Sequence, residues 1–387
     1  MWFLIVTLFP NAGPLGVLTG HIVALLLYAA LFFRLRIPLS DHLKSLIILG
    51  IVFCSSIFLS LLVNIICSET NISMIRYGFV PIYWLFGLIA GIIDYKIFGR
   101  GRDGAFFYRI AIVFICVQLP LVILQMVGLD QLLSIFWSTE KVKDWSSLTR
   151  VVGTLGNPNA LGIFSVASII IFIQNLQRKT IWPKLFIVIS IFIIALTGSR
   201  TSLILLLLVP LFQIAKVQLF SKKTLYIILG FILFSLAGYF LLILFKEKLP
   251  YLSQILNIVS GKEISSIENR FNLWEEAWSI YDSNSIFQFL FGLGPGYFSV
   301  ADNAYLYILI NYGIVSISIF VALIILLYMT IKQKKTVIPK QYLFLLLISG
   351  LVADSLISFS YMTFLFYMIG FNSRMVKQFR HKTIKVT

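Results

Sequence analysis

The sequence predicts an all-α polytopic integral membrane protein with about 11 to 12 transmembrane helices and one large outer loop that carries an amphipathic helix. Hydrophobic residues make up 59% of the chain, 35 residues are Phe, and the mean hydropathy is +0.97. An ordinary soluble domain is much less apolar. Apolar stretches of about 17 to 25 residues also recur, and each can cross the hydrocarbon core as a helix whose backbone groups are satisfied internally. We therefore treat residues 1–387 as a single membrane domain.

The stretches that fit one crossing each are 15–33, 43–67, 74–93, 106–129, 159–175, 181–197, 201–215, 224–245 and 303–330. The stretch 341–371 is long for one crossing and short for two, and Asp354 near its middle suggests a tight re-entry. We predict two short helices there, because the basic tail after residue 371 then returns to the cytoplasm. A twelfth span follows if residues 2–9 form half of an N-terminal hairpin.

The distribution of charge predicts the orientation in the membrane, because Lys and Arg favour cytoplasmic loops. With residue 34 in the cytoplasm, the basic tail and five loops, 34–44, 94–109, 176–184, 216–223 and 331–340, hold most of the 31 Lys and Arg residues. Their acids are Asp41, Asp94 and Asp103. The net charge of +16 thus reflects topology and gives no reason to expect a nucleic-acid partner. Two long outer segments remain, 130–158 and 246–302, and we expect the chemistry there.

Metal and cofactor chemistry has little support in the sequence. The three Cys residues fall inside predicted spans, where a thiol packs as a small apolar group, and the three His residues are scattered. A zinc site needs three or four converging ligands. We therefore expect neither a metal nor a cofactor.

The first outer segment ends with Arg150 and the turn Gly156-Asn157-Pro158-Asn159, after which the chain becomes apolar. The start of the following helix can bind an anion through free amide donors and its positive dipole end, with Arg150 nearby. Alternatively, Asn157 and Asn159 simply cap the helix. The two roles are compatible.

A second polar block, Thr197-Gly198-Ser199-Arg200, connects two apolar spans. So short a connection leaves Arg200 at the outer edge of the membrane, where an unpaired guanidinium is strongly disfavoured. Arg200 can offer two parallel hydrogen bonds to a phosphate. The alternative is an arginine that extends to the lipid headgroups, as many do at helix ends.

In the large outer loop, the apolar residues of 268–281 recur at helical spacing and predict an amphipathic helix with two Trp on one face. Such a face suits the membrane interface or the lid of a lipid-facing cavity. Arg270 lies near its start, and pairing with Glu268 or Glu275 is the alternative to substrate binding.

The segment that follows is too rich in glycine to be helical, with Gly at 292, 294 and 296, and predicts a turn with close backbone approach. It leads to Asp302, Asn303 and Tyr305 at the outer mouth of the 303–330 span. Asp302 and Asn303 either contact a sugar hydroxyl or cap that helix.

Together these blocks resemble the O-antigen polymerase and O-antigen ligase superfamily of polysaccharide-assembly membrane proteins. The resemblance covers about residues 145–325 and rests on three blocks in the same order: Arg150 with Gly156-Asn157-Pro158-Asn159, Thr197-Gly198-Ser199-Arg200, and Arg270 with Trp274, followed by Gly292, Gly294, Gly296, Asp302, Asn303 and Leu306.

The resemblance implies a metal-independent glycosyltransferase of the GT-C type, with its active site on the periplasmic or outer face of the bacterial cytoplasmic (inner) membrane. It implies that Arg150, Arg200 and Arg270 stabilise the departing diphosphate of an undecaprenyl-diphosphate-linked sugar. Asp302 is the first candidate for the general base, followed by Glu268, Glu275 and Glu276. The residues expected to contact substrate are Asn157, Asn159, Ser199, Glu268, Trp274, Gly294, Asn303 and Tyr305. The implied partners are lipid-linked oligosaccharide donor and acceptor, membrane lipid and a chain-length regulator.

Three functions fit these features. A polymerase extends a lipid-linked repeat unit, whereas a ligase moves finished chains onto lipid A core and carries a histidine in the block that here reads Asp302-Asn303. No histidine occurs between His42 and His381, which favours the polymerase. A transporter of an anionic lipid or sugar is the third alternative, but transporters place charges near the bilayer midplane, and several predicted spans here have none.

Overall fold

The computed structural model describes residues 26–32, 34–35, 39–67, 80–98, 103–127, 129, 150–176, 180–214, 265–282, 285–295, 297, 303–333, 336–351, 356 and 359–372. Within these ranges the chain is helical, without a β-strand. The helices are α1 (Asp41–Cys67), α2 (Val80–Phe98), α3 (Asp103–Met126), α4 (Pro158–Gln174), α5 (Trp182–Thr197), α6 (Arg200–Ile214), α7 (Ser265–Asp282), α8 (Ile286–Phe291), α9 (Ala304–Gln333), α10 (Val337–Ser349) and α11 (Phe359–Asn372). The all-α polytopic fold class is confirmed.

Four of the described helices, α1, α2, α3 and α9, are long and apolar enough to cross a membrane. Helices α4, α5, α6 and α10 are shorter but also apolar. The predicted stretch 341–371 does contain two helices, α10 and α11. Asp354, the predicted span 224–245 and most of 15–33 lie outside the described residues, so the total of about 11 to 12 spans stays a prediction.

Two predicted loop boundaries are wrong. The charge pattern predicts cytoplasmic loops at 94–109 and 331–340. In the structure, α2 continues to Phe98 and α3 begins at Asp103, so the first loop is shorter than predicted. The second is also shorter, because α9 continues to Gln333 and α10 begins at Val337. Basic residues near helix ends do not stop a helix, because their long side chains can extend to the polar interface. The charge pattern therefore located the helix ends only approximately.

Asp94 is a specific case of this error. It lies inside α2 with 2% of its surface exposed, and its carboxyl oxygens accept hydrogen bonds from the hydroxyls of Tyr28 (2.9 Å) and Tyr367 (2.7 Å). A buried carboxyl is tolerated when it is hydrogen-bonded. Asp94 is therefore part of the helix packing and not of a cytoplasmic loop.

The chain divides into two compact units, which are described separately. The first contains residues 1–7, 17–106 and 269–387, and the second contains residues 8–16 and 107–268. In the first unit, the ring of Trp84 on α2 packs against Phe53, Phe320 and Phe366. This aromatic core joins α1, α2, α9 and α11.

Helices α2 and α11 of the first unit approach closely enough for their backbones to touch. A Cβ atom at Gly91 would lie 2.2 Å from the carbonyl oxygen of Tyr367, and one at Gly370 would lie 2.1 Å from that of Leu88. Gly87 and Gly91 are four residues apart, the spacing that lets membrane helices pack through small residues.

The second unit is packed in the same manner. Phe164 and Phe172 of α4 contact Phe114 of α3 and Phe186 of α5. A Cβ atom at Gly162 would lie 2.0 Å from the hydroxyl oxygen of Ser202, so α4 and α6 are also in close contact. This contact brings the N-terminal ends of α4 and α6 to one place.

Candidate functional site

The second unit holds a cluster of Arg150, Asn159 and Ser199, three of the residues singled out in the sequence. Arg150 Nε donates a hydrogen bond to the carbonyl oxygen of Thr197 (2.9 Å), and its Nη2 reaches Asn159 Oδ1 at 3.4 Å. The hydroxyl of Ser199 donates to the same Asn159 oxygen at 2.8 Å. Arg150 is only 8% exposed. The guanidinium is therefore held in a defined orientation.

The connection between α5 and α6 explains the position of Ser199 and Arg200. Helix α5 ends at Thr197, and Gly198 has a left-handed conformation with φ 57°, which glycine adopts most readily. The oxygen of Ser199 then accepts a hydrogen bond from the backbone N–H of Ser202 (3.2 Å) and caps α6. Arg200, the first residue of α6, is partly buried beside this cap.

The N-terminal end of α4 is capped by Asn157, as one of the sequence interpretations expected. The side-chain oxygen of Asn157 accepts hydrogen bonds from the N–H groups of Asn159 (2.8 Å) and Ala160 (3.3 Å), and Pro158 has no N–H. The N–H of Leu161 donates to the Asn157 carbonyl. The amides of this first turn are thus engaged, so side chains such as Arg150 would have to hold an anion here.

Two glutamines of α3, which the sequence interpretation missed, fix the backbone that follows Arg150. Gln125 Oε1 accepts hydrogen bonds from the N–H groups of Val152 (2.9 Å) and Gly153 (3.2 Å). Gln118 Oε1 accepts from the N–H of Thr154 at 3.0 Å, and its Nε2 donates to the Thr154 hydroxyl at 2.5 Å. Their spacing of seven residues on an apolar helix places them on one face and is the pattern that could have identified them.

The first unit contains an open groove of about 720 Å³ between α7 and the start of α9. Trp274, Asn303 and Tyr305, all expected to contact substrate, line it together. Glu275 also lines it and is exposed. The other lining residues are Phe271, Trp278, Ser279, Leu306, Leu309, Ile317 and Leu351. The groove is mainly apolar, with an acid and an amide among its walls.

Hydrogen bonds fix the polar wall of the groove. The side-chain oxygen of Asn303 accepts from the N–H groups of Tyr305 (3.0 Å) and Leu306 (3.1 Å), so the helix-cap interpretation of Asn303 is confirmed. The Tyr305 hydroxyl donates to the carbonyl of Leu347 on α10 at 2.9 Å. Asp302 lies outside the described residues.

Helix α7 has the predicted amphipathic character. Ala277 is fully buried against Leu293 and Ile310, whereas 54% of Trp278 is exposed. Glu268 and Arg270 belong to this helix, but their side chains lie outside the described part of the structure.

The glycine-rich segment forms the predicted turn and contacts an unpredicted break in α9. Gly313, inside α9, has a non-helical backbone with φ 76° and ψ 178°. The carbonyls of Ile310 and Asn311 accept hydrogen bonds from the N–H groups of Leu293 (2.8 Å) and Gly294 (2.9 Å). Gly294, expected near substrate, therefore binds to the break in α9 and is not among the residues that line the groove.

Fold and site together define a polytopic all-helical membrane protein with polar residues gathered at the ends of its apolar helices. Residues 185–321 match a family model described as "O-Antigen ligase". This match supports the resemblance of the chain to the O-antigen ligase and polymerase superfamily. The matched region includes Ser199, Arg200, Trp274, Asn303 and Tyr305 and excludes the Arg150 block. No curated protein matches the chain significantly.

Proposed function

We propose that the protein is a polysaccharide polymerase. It transfers a growing undecaprenyl-diphosphate-linked glycan onto a lipid-linked repeat unit at the outer face of the bacterial cytoplasmic membrane. The match to the family model is the observation that carries this proposal, because it supports an enzyme that handles lipid-linked glycans. Within that family, the lack of histidine between His42 and His381 favours polymerase over ligase.

In this reaction the bond between the anomeric carbon of the donor glycan and its diphosphate breaks, and a bond to an acceptor hydroxyl oxygen forms. The hydroxyl proton passes to a base, and undecaprenyl diphosphate leaves with the bonding electron pair. Negative charge develops on the departing diphosphate, so cations held beside its oxygens stabilise the transition state more than the ground state.

The cluster in the second unit suits this electrostatic role. The Thr197 carbonyl and the Asn159 side chain accept hydrogen bonds from the Arg150 guanidinium, and Ser199 holds Asn159 in place. A positive charge held in a fixed orientation needs little reorganisation during the reaction. Arg200, partly buried at the first turn of α6, would bind the diphosphate with two hydrogen bonds.

The role of Arg270 rests on the family resemblance alone. The variant Arg270→Ala tests this role separately from that of Arg200. The groove of the first unit would bind sugar or lipid through Trp274 and its apolar residues and orient a polar group through Asn303. Among the acids proposed as the base after Asp302, Glu275 is favoured because it lines this groove.

The test compares surface glycans of a gene deletion strain complemented with wild-type protein, Arg200→Ala, Arg200→Lys, Arg270→Ala or Lys184→Ala. Lys184→Ala is the matched control, because it removes one positive charge at the other end of the helix that precedes Arg200. We expect the deletion to reduce the ladder to one repeat unit on its normal acceptor. Arg200→Ala should lower chain extension about 100-fold or more at normal protein level. Arg200→Lys should also be impaired, because an ammonium cannot form the paired hydrogen bonds of a guanidinium.

Other results would reject the proposal. Loss of all glycan from the acceptor, with lipid-linked chains accumulating, would identify a ligase. An unchanged ladder in the deletion strain would reject both transferases and favour transport. Normal extension with Arg200→Ala and with Arg270→Ala would leave the enzyme class in place but reject the role of these arginines.

A further inference from the structure

Three polar residues of α1 form a stripe that faces α9 and the glycine turn. Ser56, Ser60 and Asn64 are four residues apart and lie on one face of the helix, and each is at most 7% exposed. Ser56 accepts a hydrogen bond of 2.9 Å from the hydroxyl of Ser316 on α9. Ser60 and Asn64 instead donate to backbone carbonyl groups of neighbouring segments, which gives them a different role.

Ser60 and Asn64 bind the break in α9 and the turn beside it. The Ser60 hydroxyl donates to the carbonyl oxygen of Asn311 at 2.9 Å, and Asn64 Nδ2 donates to that of Gly292, also at 2.9 Å. The N–H of Gly294 donates to the same Asn311 oxygen. The backbone at a helix break within the membrane is stable only if such partners replace the missing helical hydrogen bonds.

The glycines of this region permit the close approach. Gly292 has φ 78°, and a Cβ atom there would lie 2.4 Å from the carbonyl oxygen of Asn311. A Cβ atom at Gly313 would lie 2.3 Å from the carbonyl oxygen of Leu290. Turn and break thus touch through their backbones. We call Ser60, Asn64, Gly292, Gly294 and Asn311 the junction.

The junction is connected to both walls of the groove. Leu306 and Leu309, which line the groove, belong to the first part of α9, between Asn303 and the break. In the same part of α9, Ile310 packs with Leu293 of the turn and Ala277 of α7. Since α7 provides the opposite wall, a shift at the junction would change the distance between the walls.

We propose that Ser60 and Asn64 are positioning residues for glycan transfer: from α1 they hold the broken α9 and the glycine turn in the geometry that shapes the groove. This inference rests on the proposed function. Neither residue lines the groove or contacts substrate in this role. Ser60 and Asn64 instead fix the positions of the residues that line the groove and contact substrate.

The experiment measures chain extension and local structure in the same variants. Ser60→Ala and Asn64→Leu remove the donor groups, and Ser60→Thr keeps the hydroxyl. Ser56→Ala is the matched control, because it also removes a hydrogen bond between α1 and α9 but leaves the junction intact. Extension is read from the glycan ladder at equal protein level. Local structure is read from the rate at which an impermeant maleimide labels Leu293→Cys, after Cys54, Cys67 and Cys116 have been replaced by alanine.

We expect Ser60→Ala and Asn64→Leu each to lower extension roughly fivefold, as the loss of one buried hydrogen bond implies, and to shorten the ladder. The rate of maleimide labelling at position 293 should rise in the same two variants. Leu293 is only 3% exposed when Ser60 and Asn64 hold the glycine turn in place. Ser60→Thr and Ser56→Ala should leave both readouts close to those of the wild type.

The positioning role is overturned if extension is unchanged in both variants while Arg200→Ala still abolishes it. It is also overturned if Ser56→Ala lowers extension as much as Ser60→Ala, because general helix packing would then be the cause. An unchanged ladder in the deletion strain would reject the proposed function itself, and the positioning role with it.

Discussion

The hydroxyl of Ser199 donates a hydrogen bond of 2.8 Å to the side-chain oxygen of Asn159, forty residues earlier in the chain. This bond joins two sequence blocks that looked independent, one that extends into the first turn of α4 and one between α5 and α6. Asn159 Oδ1 also lies 3.4 Å from Arg150 Nη2. The orientation of the arginine therefore depends on how the α5–α6 connection is folded.

This arrangement predicts that Ser199→Ala destabilises the protein. The variant loses the bond to Asn159 and the cap that Ser199 forms on the N–H of Ser202, and we expect a loss of about 1 to 2 kcal/mol in the free energy of unfolding. Thermal unfolding in detergent measures it. Ser165→Ala is the control, because the hydroxyl of Ser165 donates to the carbonyl oxygen of Leu161 in its own helix. Equal unfolding temperatures for the two variants would contradict the prediction.

The contact between α2 and α11 predicts that Gly91→Ala is costly. The new methyl group would overlap the backbone of Tyr367 and Phe371, which cannot move aside without separating the helices. Overpacking of this kind costs about 1 to 3 kcal/mol. In the control Gly50→Ala, the methyl group meets the flexible end of the Leu85 side chain, and alanine favours the helix. An unfolding midpoint that falls with Gly91→Ala but not with Gly50→Ala would support the contact, and the reverse order would disprove it.

The carboxyl of Asp94 predicts a coupled effect on stability. Asp94→Ala leaves the buried hydroxyl of Tyr367 without this acceptor, at a cost of about 1 to 3 kcal/mol. Replacing Tyr367 by Phe in the same protein removes the orphaned hydroxyl, so the double variant should lose less than the sum of the two single losses. The coupling is measured from the free energies of unfolding of four proteins: the wild type, Asp94→Ala, Tyr367→Phe and the double variant. Strictly additive losses would show that the hydrogen bond contributes nothing.

Sequence patterns predicted the helices well, because the physical cause of a membrane helix is local. A run of apolar residues of sufficient length is nearly enough, and the start of α4 was predictable since Asn157 and Pro158 are typical of a helix start. The break at Gly313 was not predictable. It depends on donors from Ser60 and Gly294, which are far away in sequence.

The candidate site also has features that depend on local sequence and features that depend on contacts between residues far apart in the sequence. Arg150, Asn159 and Ser199 were identified because charged and amide groups at the edge of apolar spans are unusual. Gln118 and Gln125 were overlooked, because an uncharged residue inside an apolar stretch hardly changes its hydropathy. Their importance lies in the particular N–H groups that they bind, and only the packing of α3 against residues 152–154 determines those partners.

Glu275 gives the final prediction, on the base that accepts the proton of the acceptor hydroxyl. It lines the groove with Asn303 and Tyr305, whereas Glu276, the next residue of α7, is exposed and does not line it. If Glu275 is the base, Glu275→Gln should lower the rate of transfer about 100- to 10,000-fold, because general base catalysis contributes that much. Binding of the lipid-linked acceptor should change little, since glutamine keeps the shape of the side chain.

The measurement is transfer by purified protein between lipid-linked repeat units, with Glu276→Gln as the matched control. Both variants remove one negative charge from the same turn of the same helix, so a general electrostatic effect would lower their rates equally. A low rate in Glu275→Gln alone would assign the base. A normal rate in Glu275→Gln together with an inactive Asp302→Asn would assign the proton transfer to Asp302 and limit Glu275 to lining the groove.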